Sequence, residues 1–234
     1  MYYIKLFLIV SVTVFDTVKV LFFMSFKGSH IFHSHSHKWS KLLLKISGVK
    51  LKVTGREKID KSKSHIYVAN HASLYDIPIL LAGLDDNVCI MYKKELEKIP
   101  IFGYGLKKSP FISIVRSDPR KALESIQNSL KTLKDGDSLF IFPEGTRTTD
   151  GNMTPFKRGA FMIASISGLP IVPVTIKGSF DIISKDKKAI NTTTIELIIH
   201  DPIQNNEKLS RIEEKELMNQ VHQIIKAPLN QNVE

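Results

Sequence analysis

Residues 65–81 read HIYVANHASLYDIPILL and contain a strand, a polar loop and the start of a helix. The apolar run 65–68 predicts a short buried strand. Pro78 is tolerated in the first turn of a helix but not deeper, so it predicts a helix that starts near Asp76. The loop between the two elements carries His71. This stretch therefore predicts a β-strand followed by an α-helix, the repeating unit of an α/β sheet.

The same alternation continues along the chain. Fully apolar strands such as SLFIF imply burial on both faces, which is typical of parallel sheets. We predict an α/β fold, a single domain with a mainly parallel central sheet flanked by helices, plus an N-terminal membrane-associating helical segment. The predicted strands are 49–53, 65–68, 88–92, 111–115, 138–142, 171–176 and 194–199, and the predicted helices are 77–84, 119–133, 156–167 and 211–226.

The composition is that of an ordinary globular protein with an uneven charge distribution. The chain has 234 residues, 43% of them hydrophobic, and a net charge of +10, which excludes a mainly disordered or collagen-like chain. Residues 1–65 hold 12 of the 33 basic residues and only 3 of the 23 acidic ones. A nucleic-acid-binding domain usually carries its positive charge on the folded body. We therefore expect anionic membrane lipids, and no nucleic acid, as partners. The single cysteine, Cys89, suggests a reducing compartment.

The N-terminal segment is apolar as well as basic. Residues 6–26, LFLIVSVTVFDTVKVLFFMSF, would form a helix about 30 Å long, enough to cross a bilayer core. Asp16 and Lys19 would then lie near the midplane, where each costs roughly 2.5–3.5 kcal/mol unless the two pair. Residues 39–46, WSKLLLKI, are typical of an interfacial helix. A membrane-embedded helical hairpin and a single span both stay open. The lysines that follow favour the cytoplasmic face of the plasma (inner) membrane.

These patterns divide the chain into three segments. We expect membrane-associating helices over 1–48, the α/β domain over 49–226 and a polar tail over 227–234. Within the first segment, residues 28–37 read GSHIFHSHSH and contain four histidines, with no cysteine or carboxylate among them. We therefore expect a loop at the level of the lipid headgroups and no metal site there. The histidines are His30, His33, His35 and His37.

His71 and Asp76 are the candidate catalytic pair. A neutral imidazole can take a proton from a hydroxyl, and a carboxylate on its other nitrogen fixes the tautomer and stabilises the imidazolium. A separation of five residues is not one face of a regular helix, so the two side chains can meet only if His71 lies in the loop before the helix. Two alternatives stay open: Asp76 caps the helix, alone or in a capping pattern with Ser73, and His71 bonds to backbone.

A second polar stretch follows a second apolar strand. Residues 142–147 read FPEGTR. In open α/β sheets, ligands bind at the carboxyl ends of the strands, so both polar stretches could face one cleft. Arg147 is suited to bidentate phosphate binding, and Arg116 and Lys157 are further basic positions near strand and helix ends. The alternative is a surface ion pair between Glu144 and Arg147, which would contribute little.

At these residues the sequence resembles the glycerolipid acyltransferases, specifically the 1-acyl-sn-glycerol-3-phosphate acyltransferase family. The family motif NHx4D is matched by residues 70–76, and FPEGTR by 142–147. The family's second block, which ends in arginine, is similar to PFISIVR at 110–116, and its apolar-x-P-apolar block is similar to IVPV at 171–174. The four blocks occur in family order. The run Ser-Ile-Val at 113–115 departs from the usual second block and leaves acceptor specificity open.

The resemblance implies a role for each matched residue. His71 would act as general base on the free hydroxyl of the acceptor, and Asp76 would orient it. The acceptor would be lysophosphatidic acid, the product phosphatidic acid, and the co-substrate acyl-CoA or acyl-carrier protein, with no metal and no bound cofactor. Arg116 and Arg147 would hold the acceptor phosphate. The full set of implied substrate-binding residues is Arg116, Glu144, Gly145, Thr146, Arg147, Lys157 and Pro173.

Three other functions stay open at this point. The acceptor could be another lyso-lipid, such as a lysophospholipid or a lyso-ornithine lipid. A His/Asp pair could also activate water and hydrolyse the thioester. A non-catalytic membrane-surface binding protein would use only the basic N-terminal segment. The last reading leaves the motifs unexplained.

Overall fold

A computed structural model of the chain describes residues 2–27, 31–115, 124, 127–128, 130, 137–183 and 189–230. The helices are α1 (Tyr2–Lys27), α2 (Ile31–Ser47), α3 (Asp76–Gly83), α4 (Phe102–Lys108), α5 (Gly159–Ser167) and α6 (Arg211–Leu229). The strands are β1 (Lys50–Thr54), β2 (Ile66–Ala69), β3 (Asn87–Lys93), β4 (Ile112–Ile114), β5 (Asp137–Ile141), β6 (Ile171–Lys177) and β7 (Thr194–Ile199).

The strands form one seven-stranded sheet in the order β1-β7-β6-β2-β5-β3-β4. Every neighbouring pair is parallel except β6 and β7. The predicted α/β fold with a mainly parallel sheet is therefore confirmed. The strands that carry the two polar stretches, β2 and β5, are neighbours near the middle of the sheet, so the segments after them leave the same edge side by side.

Helices cover both faces of the sheet. Successive side chains of a strand point to opposite faces. Tyr67 therefore packs into a core with α2 and α3, while its neighbour Ile66 packs on the other side with Phe161 of α5 and Val221 of α6. All four residues of β2 are buried, as the apolar strand pattern predicts.

The observed elements differ from the predicted ones in several places. Helix α6 continues to Leu229, and α5 begins at Gly159 rather than at 156. Helix α4 is not predicted, because its sequence FGYGLKK contains two glycines, which are poor helix formers. The packing of α4 against α1 requires a glycine here, because a β-carbon at Gly105 would lie 2.6 Å from Thr17 of α1. Tertiary packing thus outweighs the poor helix preference of glycine. The helix predicted over 119–133 lies largely outside the described residues.

The loop predicted around the histidines is wrong, because α2 begins at Ile31 and includes the last three of them. The buried residues of α2 recur at helical spacing, and three of them are serines and two are leucines. Small serine side chains allow the helix to approach its neighbours closely, which composition alone does not reveal. The buried residues are His33, Ser36, Ser40, Leu43, Leu44 and Ser47.

Helix α1 is one continuous helix, and it is the described helix long and apolar enough to cross a membrane. It packs against α2 and α4. Near its start, Lys5 donates to the carbonyl oxygens of Ser47 and Ile190, at 2.9 and 3.2 Å. In its middle, Thr13 accepts a hydrogen bond from Trp39 at 3.2 Å. One side of α1 thus contacts the rest of the protein along much of its length.

Candidate active site

The register of the sheet brings the two polar stretches together. Val68 of β2 lies opposite Ile141 of β5. Three residues after each of these positions, His71 lies opposite Glu144, and the His71 backbone N–H donates to Glu144 Oε1 at 2.6 Å. The two polar stretches are therefore adjacent, because each continues one strand of a parallel pair.

His71 and Asp76 are in direct contact. Asp76 Oδ2 lies 2.7 Å from His71 Nδ1 and also accepts the backbone N–H groups of Ala72 and Ser73, at 2.7 and 2.8 Å. The carboxylate is completely buried. The residue that caps α3 is Tyr75, so Asp76 is not the N-cap. It is the first residue of the helix, and it reaches back to hold the loop and the imidazole.

These contacts fix the tautomer of the neutral imidazole. Because the carboxylate accepts at Nδ1, that nitrogen carries the hydrogen and Nε2 keeps a lone pair. The ring of Phe142 stacks on the imidazole, with centroids 3.8 Å apart and an interplanar angle of 14°. His71 lies in the predicted loop, and its side chain is only 13% exposed. Phe142, the first residue of the FPEGTR motif, therefore covers one face of the His71 ring.

Glu144 is buried, with 2% of its surface exposed. Its second oxygen, Oε2, accepts from the Thr154 backbone N–H at 2.7 Å and from the Thr154 hydroxyl at 2.6 Å. Both carboxylate oxygens therefore bind groups of the protein, which excludes the alternative of a surface ion pair between Glu144 and Arg147. Glu144 ties the loop after β2 to the segment between β5 and α5, and its contact with the site runs through the His71 main chain.

The remaining predicted binding residues lie around this loop. Gly145 has φ of +73°, a conformation that favours glycine, and a β-carbon there would lie 2.8 Å from Lys157 Nζ. Lys157 and Thr146 are exposed, and Arg147 is half-buried. Within the described ranges, no carboxylate lies within ion-pair distance of Arg147. An ammonium and a guanidinium thus flank the turn that follows β5.

Pro173 and Arg116 are the other two residues predicted to bind substrate. Pro173 is buried in β6, opposite Val68 of β2, so it lies in the sheet below the dyad rather than in the loops. Arg116 lies outside the described residues.

Near the Glu144 carboxylate, His222 of α6 packs edge-on against Phe156, with centroids 4.8 Å apart. Burial lowers the pKa of His222, and Lys226 acts in the same direction while Glu144 opposes it.

Asn70 has a structural role that sequence reasoning missed. Its side-chain amide donates to the carbonyl of Ile176 at 2.9 Å and accepts the Ile176 N–H at 2.8 Å, so it binds the end of β2 to β6. On the other side of the loop, the Thr148 N–H donates to the His71 carbonyl at 3.0 Å. The place of Asn70 beside His71 in the motif marks it as a candidate functional residue. Its partner, Ile176, is 106 residues away and can be identified only from the fold.

This arrangement can perform base chemistry next to an anion site. Nε2 of His71 is the ring nitrogen left to accept a proton, and a buried carboxylate stabilises the resulting imidazolium. Cationic side chains follow at the turn after β5, where they can bind a phosphate. The arrangement is thus chemically suited to deprotonate a hydroxyl on an anionic substrate.

Comparison with known proteins agrees with this site. The family model described as Acyltransferase matches residues 50–177, and the chain belongs to that family. Membership confirms the family resemblance drawn from the four sequence blocks. The matched range includes both the His71–Asp76 pair and the FPEGTR turn.

Similar proteins carry a more specific name. The chain is 36% identical over 156 residues to the chloroplastic 1-acyl-sn-glycerol-3-phosphate acyltransferase BAT2 of Brassica napus, covering 66% of this chain and 45% of that protein. It is 33% identical over 166 residues to a 1-acyl-sn-glycerol-3-phosphate acyltransferase of Saccharomyces cerevisiae, covering 70% of this chain and 54% of that protein. The chain thus spans about half the length of these relatives.

A solved structure resembles the whole chain. The 1-acyl-sn-glycerophosphate (LPA) acyltransferase PlsC from Thermotoga maritima superposes with a TM-score of 0.84 at 28% identity. The match covers 100% of this chain and 97% of that chain, so the N-terminal helices are part of the shared architecture.

Proposed function

We propose that this chain transfers an acyl group from a thioester, acyl-CoA or acyl-carrier protein, to the sn-2 hydroxyl of 1-acyl-sn-glycerol 3-phosphate and so produces phosphatidic acid. The observation that carries the proposal is the 2.7 Å contact between His71 Nδ1 and the buried Asp76 carboxylate. The names of the similar proteins support the same substrate.

The reaction needs one base and one proton donor, and His71 can serve as both. Nε2 takes the proton of the acceptor hydroxyl as its oxygen attacks the thioester carbonyl. The new C–O bond forms, the C–S bond breaks, and the imidazolium returns the proton to the departing thiolate. Asp76 stabilises the imidazolium between these steps. Glu144 keeps the imidazole in place through the His71 main chain.

The acceptor phosphate would bind at the turn after β5. Arg147 supplies a planar donor pair for two phosphate oxygens, and Lys157 supplies a point charge beside Gly145. The N-terminus of α5, which begins at Gly159, adds a favourable dipole for an anion. We include Arg116 in this group on the family resemblance alone.

An apolar cavity suits the hydrocarbon part of a lipid substrate. It has a volume of about 140 Å³ and lies between α1, α2, α3, β3 and α4, next to the helix that begins with Asp76. An alkyl chain is the substrate part that such a surface recognises. Among the lining residues are Val20, Phe32, Trp39, Leu81, Leu106 and Phe111.

The cavity assignment has a matched pair of variants on one helix. Val20 is 6% exposed and lines the cavity, whereas Val18 is 51% exposed. We expect Val20→Phe to shift the preferred acyl chain to fewer carbons, because the larger ring fills the cavity. Val18→Phe should leave the chain-length profile unchanged. Identical profiles for wild type and Val20→Phe, with both proteins folded, would remove the cavity from the acyl-chain assignment.

The proposed location is a membrane surface, specifically the cytoplasmic face of the plasma membrane, with α1 lying along it rather than across it. The face of α1 turned away from the protein exposes large apolar side chains, including Phe7 at 70%, Phe15 at 72% and Phe26 at 75%. The turn before α4 adds Ile99 and Ile101, at 45% and 44%. A helix that spans a bilayer would not keep one face on the domain along its length, so a leaflet-embedded α1–α2 pair is favoured.

Labelling distinguishes the two topologies. Cys89 is 1% exposed, so it gives little background with a membrane-impermeant maleimide. We expect Tyr3→Cys and Ser25→Cys, at opposite ends of α1, to react from the same side of the vesicle. Reaction from opposite sides would establish a single span. Recovery of the protein in the soluble fraction would contradict membrane association itself.

Thioester release tests the activity. The full chain is added to lipid vesicles with either acyl donor, with and without lysophosphatidic acid, and free thiol and phosphatidic acid are both measured. We expect thiol release that requires the acceptor, disappears in His71→Ala and persists in His37→Ala, a histidine outside the site. Retained turnover in a folded His71→Ala variant would refute the assignment.

The other outcomes separate the remaining functions. Thiol release without acceptor and without phosphatidic acid would favour hydrolysis. Release that requires a lysophospholipid or lyso-ornithine lipid instead would keep the chemistry and change the substrate. No release with any donor and acceptor, together with vesicle binding, would favour a non-catalytic membrane-surface protein.

A further inference from the structure

A second cluster of reactive side chains lies at the other end of the sheet. It consists of His33 from α2, Cys89 from β3 and Asp137, the first residue of β5. One ligand atom of each residue lies within 4.8 Å of the others. Strand β5 runs from Asp137 toward Glu144, and at about 3.3 Å per residue the cluster lies roughly 20 Å from the catalytic dyad. It is therefore independent of the site described above.

All three side chains are buried. The exposed fractions are 7% for His33, 1% for Cys89 and 8% for Asp137. His33 Nε2 lies 3.6 Å from Asp137 Oδ1. Ligands bound at about 2.0–2.3 Å around a tetrahedral ion are roughly 3.3–3.8 Å apart, so this pair already has the required spacing. The Cys89 Sγ lies within 4.8 Å of both of these ligand atoms.

We propose that His33, Cys89 and Asp137 form a binding site for a divalent transition-metal ion, with zinc as the best match to one nitrogen, one sulfur and one oxygen ligand. Three protein ligands leave a fourth position for water. The charges also balance, because a thiolate, a carboxylate and a neutral imidazole carry −2 together and the ion carries +2. A neutral complex can be buried where a lone thiolate or carboxylate would be costly.

The surroundings of the cysteine agree with this balance. Burial, together with the Asp137 and Asp86 carboxylates, raises the pKa of Cys89 to about 12. A bound metal ion would stabilise the thiolate. Asp86 is not a further ligand here, since one of its oxygens accepts from Tyr67 and Ser138, at 2.7 and 2.8 Å, and the other from the Asn87 N–H.

The site would connect distant parts of the chain. His33 belongs to the N-terminal helices, whereas Cys89 and Asp137 belong to the sheet. A metal ion would therefore tie α2, which packs on the membrane-facing α1, to the catalytic domain. Sequence reasoning missed this possibility because the histidine segment contains neither a cysteine nor a carboxylate. The fold supplies both from strands more than 50 residues away.

Cobalt titration of the full chain in detergent tests the proposal. Co²⁺ added to metal-free protein should produce a thiolate-to-cobalt charge-transfer band in the near ultraviolet, which Zn²⁺ then removes by displacement. Cys89→Ser should abolish the band. His33→Gln and Asp137→Asn should weaken cobalt binding at least tenfold, because even the loss of an outer-sphere partner has that effect. His37→Gln, on the same helix, is the matched control and should bind as wild type does.

Two results of the cobalt titration would overturn the proposal. One is the absence of the band at millimolar Co²⁺ in folded wild-type protein. The other is binding that His37→Gln weakens and His33→Gln does not, which would assign the metal to the histidine-rich segment. If a variant fails to fold, X-ray absorption of the zinc-loaded wild-type protein decides the question. One sulfur neighbour would support the site, and nitrogen and oxygen neighbours alone would overturn it. None of these measurements uses acyl transfer.

Discussion

Replacing Asp76 by asparagine separates the two tasks of this residue. Its Oδ2 accepts three hydrogens, from His71 Nδ1 and from the N–H groups of Ala72 and Ser73. An amide oxygen in the same place can still accept all three, so the loop should keep its shape. An alanine would remove all three acceptors at once and confuse a folding defect with a catalytic one. Asparagine changes the charge and leaves the geometry.

The structure allows both effects of Asp76→Asn to be estimated. The amide nitrogen would occupy the position of Oδ1, which is buried and has no hydrogen-bond partner among the described residues. A buried, unpaired N–H group costs about 1–3 kcal/mol of folding stability. The neutral amide also cannot stabilise the imidazolium. The same change beside the histidine of a serine-protease triad lowers turnover about 10⁴-fold. We expect kcat/KM for Asp76→Asn to fall about 10³- to 10⁴-fold.

Thiol release against acceptor concentration gives kcat/KM, and urea denaturation gives the free energy of unfolding. Asp201→Asn is the matched control, because its carboxylate pairs with Lys58 at the surface and its side chain is 82% exposed. It should stay within about twofold of wild type, as expected for an exposed ion pair. A folded Asp76→Asn variant that keeps kcat/KM within about tenfold of wild type would refute the role of the carboxylate in stabilising the imidazolium.

Three further predictions concern neighbouring groups. Glu144→Gln should lower kcat and destabilise the fold by about 1–3 kcal/mol, because one buried donor loses its acceptor. A raised acceptor KM with unchanged kcat would instead indicate direct substrate contact. Arg147→Ala should raise the KM for lysophosphatidic acid at least about tenfold, from the loss of charged hydrogen bonds, and should not affect a phosphate-free acceptor. An unchanged KM with a collapsed kcat would contradict the phosphate role. Burial lowers the pKa of His200, which contacts the Thr175 hydroxyl at 2.9 Å. The unfolded chain therefore binds a proton that the folded one does not, and unfolding free energy should fall as pH drops below about 6.5. Urea titrations at several pH values should show a shallower fall for His200→Gln, and an identical pH dependence would exclude this histidine as the cause.

Local signals in the sequence were enough for most of the described strands and helices and for the choice of His71 and Asp76 as a candidate pair. The apolar run before His71 indicates a strand, and Pro78 indicates where the next helix starts, because each reflects backbone preferences that operate over a few residues. The helix does begin at Asp76. The four motifs in family order pointed to the same site and to the acyltransferase family, which the family match over 50–177 confirms. These conclusions needed no knowledge of which strands are neighbours.

Which strands lie side by side in the sheet was decided by the tertiary structure. Hydrophobic periodicity specifies which face of a strand is buried but not which strand lies beside it, so the pairing of β2 with β5 could not be predicted. That pairing buries Glu144 and places its carboxylate on the His71 backbone N–H. The stacking of Phe142 on the imidazole has the same origin. The sequence by itself thus determined the candidate reactive groups and most of the local elements, because those depend on short-range preferences. The burial, support and surroundings of those groups depend on contacts between residues about 70 or more positions apart, which only the packed sheet creates.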